Sequence, residues 1–130
     1  MKNYPQNRVT PRFIDKLEKN EIFVFGSNLD GRHGGGAART ALKWGAIPGE
    51  GVGLQGQTYA IPTMFRTTRY IKEYVEEFIR FAMGRPEYTF LVTEIGCGIA
   101  GFSPREIAPL FTDAIPVENI HLPARFWEVL

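Results

Sequence analysis

Cysteine is almost missing from this chain: Cys97 is the only one in 130 residues, so an internal disulfide is excluded. No Cys/His cluster has the spacing of zinc ligands, and no metal is expected. The chain also lacks a long hydrophobic run. Nothing in it approaches the roughly 20 apolar residues of a membrane-crossing helix, and its start has no apolar leader. Charge of one sign is lacking as well. The formal net charge is +1 with no Lys/Arg run, which removes the basic stripe that nucleic-acid binding normally shows. These absences set the expectation of a cytoplasmic protein with no membrane partner and no resident cofactor.

What is present is ordinary in bulk and unusual in its placing. Apolar residues make up 44% and charged residues 22%, as in a soluble globular domain. The length suits a single domain over 1–130 with a real core, residues 1–9 forming a peripheral arm. Of the 14 glycines, however, 12 gather at 31–36, 45–56 and 96–101. Punctuation so concentrated marks tight or functional loops.

The last of these stretches organises the reading. Residues 88–95 (YTFLVTEI) have the β-branched and aromatic character of a buried strand. GCGIAGF follows at 96–102, and then a helix start, with Ser103 at the N-cap, Pro104 at the first helical position and Glu106 placed for a capping box. Strand, glycine loop and helix together aim free backbone N–H groups at an anion. A glycine turn also serves close helix–strand packing, and the pattern alone is weak. A second unit adds weight. EIFVFG at 21–26 reads as a strand buried on both faces; SNLDGRHGGG follows, and then a helix over 37–44. Three consecutive glycines are poor helix formers and make better sense just before the helix, as bare backbone around an anion or sugar.

The remaining chain alternates. Thr10-Pro11 looks like the opening of a short helix running to Asn20, with Phe13, Ile14 and Leu17 on one face. Residues 45–56 read as a long irregular connection, and QTYAIPT at 57–63 as a strand. Residues 67–83 carry the clearest helical period, with Ile71, Val75, Phe78, Ile79 and Ala82 inward. After Ser103, Ile107, Leu110, Phe111, Ala114 and Ile115 face inward, and Pro109 should kink that helix. A short strand at 119–122 and a terminal helical segment at 124–130 complete the order. Strands alternating with amphipathic helices predict an α/β fold, a mostly parallel sheet sandwiched between helices. Ligands then sit beyond the carboxyl ends of the strands, where both glycine loops emerge. Two anion cradles on one rim suit a diphosphate.

With these residues assembled, the chain resembles a macro domain, the ADP-ribose-binding α/β/α module. The resemblance covers about residues 21–122 and rests on EIFVFGSN followed by GGGAA, on QTYAIPT, and on FLVTEIGCGIAGFSPREIA. It implies a three-layer sandwich and a site for ADP-ribose, or for an ADP-ribosylated macromolecule as partner. Gly26, Ser27 and Asn28 would form one side, with Asn28 on the distal ribose hydroxyls and Gly34, Gly35 and Gly36 lining that sugar. Gly96, Cys97, Gly98, Ile99, Ala100 and Gly101 would wrap the pyrophosphate, and Phe102 would pack on the ribose. The family's adenine-reading aspartate has no counterpart here beyond Asp15, which stands in a different context.

Some relatives hydrolyse ADP-ribosyl bonds or process an ADP-ribose phosphate, so Asn28, Asp30 and His33 are the candidate catalytic set. Asp30-Gly31 is equally a turn signal, and His33 can serve as a loop hydrogen-bond donor. Cys97 as a nucleophile lacks an assignable histidine. Glu94, ending the strand beside the loop, either touches the ligand or is exposed at the rim, the reading preferred here; Arg66 could meet a phosphate or adenine but reads better as a solvated arginine. A third reading, of another class, is an interaction protein that keeps the fold without the ligand.

Overall fold

A computed structural model describes residues 3–130. It is an α/β fold built on one six-stranded sheet. The strands are β1 (Val9–Thr10), β2 (Glu21–Ser27), β3 (Gly53–Gln55), β4 (Thr58–Pro62), β5 (Thr89–Val92) and β6 (Ile120–Pro123), in the spatial order β1-β6-β5-β2-β4-β3. All neighbours pair in parallel except β3, which is antiparallel to β4 at one edge. The helices are α1 (Gly36–Ala41), α2 (Thr68–Met83), α3 (Pro104–Ile107) and α4 (Ala124–Val129).

The central strand β2 shows why the sheet carries apolar packing on both faces. Successive strand residues point to opposite sides, and alternate β2 residues feed two separate cores. Ile22 and Val24 join a large cluster with Ile71, Val75 and Phe78 of α2 and with Ile107 of α3. Phe23 and Phe25 join a smaller one with Ala38 and Ala41 of α1. The five inward positions expected of α2 are its five buried ones, and Thr67 caps it by accepting the Arg69 N–H.

Four expectations are corrected. Residues 10–20 are not helical: Val9–Thr10 pairs with β6 and the following chain is irregular, leaving Phe13 86% exposed. The connection at 45–56 is not wholly irregular, since Gly53–Gln55 forms the edge strand β3. Beyond α3 the α-helix stops at Ile107, and residues Ala108–Ala114 continue as 3₁₀ helix with Pro109 in its first turn. Pro109 has no N–H to give an α-helical bond, which accounts for the change of winding. Ile115 is 40% exposed instead of inward.

The stretch 1–9 is also more than an arm. Its first two residues lie outside the described ones, but Tyr4 stacks on Trp127. Arg8 is buried, and its guanidinium donates to the carbonyls of Ala114, Ile115, Val117 and Ile120 at 2.7–3.1 Å. One side chain thus ties together several carbonyls at a chain bend, two of which, Ala114 and Val117, also accept the N–H groups of Val117 and Ile120.

Candidate functional site

Three neighbouring parallel strands, β5, β2 and β4, end on one rim of the sheet. Their carboxyl ends open into a cleft of about 530 Å³. Both glycine loops line it. Gly26 and Ser27 come from the end of β2, Asn28 and Gly34 to Gly36 from the segment after it, and Gly96, Gly98, Ile99 and Ala100 from the segment after β5. The end of β4 adds Thr63 and Met64.

The glycines have distinct duties. Gly26 forms the floor, where a Cβ would lie 3.2 Å from Thr63 Oγ1 and 3.4 Å from the Gly96 nitrogen. Gly96 has φ +74°, and a Cβ there would meet Ile107 Cδ1 at 2.9 Å. Both are fixed by the fold. Gly34, Gly35 and Gly98 differ: beyond their chain neighbours no protein atom lies within 4 Å of where their Cβ would stand, and none has positive φ. Nothing inside the protein requires these three to be bare. Among the described residues the N–H groups of Gly34, Gly35, Gly98, Ile99 and Ala100 donate no hydrogen bond.

Each loop is nonetheless held. In the first, Asn28 Oδ1 accepts the Arg32 N–H at 2.9 Å and Asn28 Nδ2 donates to the Arg32 carbonyl at 3.1 Å. The Asn28 carboxamide is therefore occupied within its own loop. In the second, the N–H of Phe102 donates to the Gly96 carbonyl at 2.9 Å, and that of Gly101 to Gly98 at 3.0 Å. Glu106 Oε1 accepts the Ser103 N–H at 3.0 Å, closing the cap expected there.

Not every expected residue reaches the cleft. Asp30 is exposed and off its wall. His33 is buried at 6% exposure against the edge of Phe25, and its Nε2 donates to the Ile47 carbonyl at 3.1 Å. Its Nδ1 is buried without a partner. Of the candidate catalytic set, only Asn28 lines the cleft. Cys97, Gly101 and Phe102 are not on the wall either; Cys97 and Phe102 pack against the larger core. Burial pushes the Cys97 thiol up to about 11, away from the depressed values of reactive cysteines. Asp15 and Arg66 are exposed and are not on the cleft wall.

Several wall residues escape a reading of the sequence. Arg32 sits among loop residues with no periodicity to mark it. Thr63, Met64 and Thr93 come to the rim only because β4 and β5 flank β2 in parallel, an adjacency that local pattern does not reveal. Glu94 is on the wall, and Arg125 of α4 grips it with Nε on Oε2 at 2.7 Å and Nη2 on Oε1 at 2.6 Å. Those hydrogen bonds hold the Glu94 carboxyl below the usual carboxylate range. The pairing also offsets a negative charge that would repel an anion in the cleft.

Among the described residues no group of acidic, His and Cys side chains is arranged to hold a metal, and no helix is long and apolar enough to cross a membrane. Compared with family models, with curated proteins and with solved structures, the chain gives no match in any of the three.

Proposed function

We propose that this protein binds ADP-ribose, or a closely related nucleotide diphosphate sugar, in the cleft between its two glycine loops. One observation carries the reading. Gly34 and Gly35 on one loop and Gly98 on the other border a single cleft, bare where the fold does not require it, with their amides unpaired. Main-chain N–H groups are strong donors that are costly to leave without acceptors once a guest excludes water. A diphosphate supplies several anionic acceptors for donors on two loops that line one cleft. The cleft volume falls within the roughly 300–1,000 Å³ of small-molecule sites. The two cores fed by alternate β2 residues favour a three-layer α/β/α sandwich of the macro-domain kind.

Binding is favoured over hydrolysis at this site. The candidate acid–base residues Asp30 and His33 lie off the wall, and the carboxylate that is on it, Glu94, is held ionised by Arg125. A general base works best with a pKa near the working pH, and Glu94 is moved the other way.

The test is calorimetric titration with ADP-ribose, backed by thermal melting. Saturable binding is expected, with stabilisation of about 2.7 kcal/mol at a free ligand concentration 100 times Kd. Absence of both heat and protection would overturn the reading and leave an interaction protein as the better description. Steady release of ADP-ribose from a modified substrate would overturn the preference for binding over hydrolysis.

A further inference from the structure

The geometry points to Arg32 as the side chain that meets the anionic part of the guest, with Asn28 acting as its positioning residue and not as a ligand to the sugar. This inference rests on the binding reading above. Arg32 is the sole cationic side chain on the cleft wall, and among the described residues its guanidinium makes no ion pair or hydrogen bond. An arginine that merely decorates a loop would need no special support. This one has its backbone gripped from both sides, N–H and carbonyl, by the Asn28 carboxamide. On one flank Gly31 donates to the Asn28 carbonyl at 3.0 Å and accepts from the Gly49 N–H at 2.9 Å. On the other, His33 is locked to Ile47. The loop therefore fixes the origin of a long, otherwise unengaged cation at the edge of a cleft lined with free amides. The opposing acid, Glu94, is already neutralised by Arg125 and does not compete for it. A guanidinium presents paired donors that match phosphate oxygens.

The experiment is a double-mutant cycle on the full chain with Arg32→Gln, Asn28→Ala and both together. ADP-ribose and inorganic diphosphate are titrated separately over a range of salt concentration, with melting curves to establish that each variant folds. About a tenfold loss of affinity is expected for Arg32→Gln, with a shallower dependence on salt. Asn28→Ala should lose less or the same, flatten the salt dependence similarly, and add little on top of Arg32→Gln. Wild-type affinity in Arg32→Gln would overturn the inference while leaving the binding reading intact. Fully additive losses, or an unchanged salt slope in Asn28→Ala, would return Asn28 to the sugar and overturn its positioning role. Diphosphate binding that depends on Arg32, without ADP-ribose binding, would uphold the anion contact and sink the larger reading. Binding of neither probe would sink both.

Discussion

Residues 28–36 are held in place by side chains and by a neighbouring segment, whereas residues 93–102 are held chiefly by their own main chain. In the first loop the Asn28 carboxamide, the His33 ring and the Ser27 hydroxyl reach Arg32, Ile47 and Gly51 respectively. In the second, turns within the segment close on themselves before the capped start of α3. The first loop thus depends on the chain at 45–56, and the second on backbone conformation. Two unlike solutions leave the same product, unpaired amides on residues that line one cleft. Disturbing each loop by its own support should therefore give unequal costs.

The largest effect is expected at Gly51. A Cβ there would fall on the Asn28 carbonyl oxygen, with the Leu29 Cα close by, so backbone would have to move against backbone. Gly51→Ala should cost about 3 kcal/mol, read as a lower urea midpoint with an unchanged slope. Gly96→Ala should cost less, about 2 kcal/mol, from its positive φ and from pressure on the Ile107 side-chain end. A flexible tip can yield where a carbonyl cannot. A larger loss at Gly96 than at Gly51 would break the contrast between the two supports.

A smaller effect, confined to acid, is expected from the ion pair beside the second loop. Hydrogen bonds from Arg125 lower the Glu94 pKa in the folded chain. The sign follows: the contribution is fully present above the unfolded carboxylate value of about 4.3, and is lost as pH falls through the folded value. Both partners are well exposed, at 59% and 35%, so the contribution is modest. Denaturation between pH 7 and pH 3 should show part of the acid loss in the wild type and less of it in Arg125→Gln. Identical acid limbs would show that the pair does not support the second loop at all.

The contrast also explains what could be read from sequence. The α2 helix announced its buried face because a sixteen-residue amphipathic segment carries its own period. The Ser103 cap and the strand–glycine–helix units were equally local. Residues 10–20 misled because Thr10-Pro11 has helix-start chemistry, while the pairing of Val9 and Thr10 with Leu122 and Pro123 is set more than a hundred residues away. The docking of Arg8 was hidden for the same reason: arginine is normally exposed, and only the folded chain brings its carbonyl partners together. At the site, the glycines were legible because bareness is written in the residue itself. Glu94 was legible as a residue at the rim beside the second loop, but its pairing with Arg125 was not; Arg32 and Thr63 were not picked out, since their place on the wall comes from the Asn28 clamp and from strand adjacency. Asn28 was visible as a residue, but its engagement with Arg32 was not.

The smallest expected change in stability is the most informative. Gly35→Ala and Gly98→Ala each add a methyl group into open space, on backbone outside the left-handed region. Stability should stay within about 0.5 kcal/mol of wild type, and removing glycine's freedom in the unfolded chain can even raise it. Affinity for ADP-ribose should nevertheless fall in both, because the added methyl stands between the guest and the amides it would meet. The two loops, so different in how they are held, should here behave alike, since the guest touches what they share. If alanine at either position leaves both stability and affinity untouched, that loop lies outside the contact, and only the other one receives the phosphates.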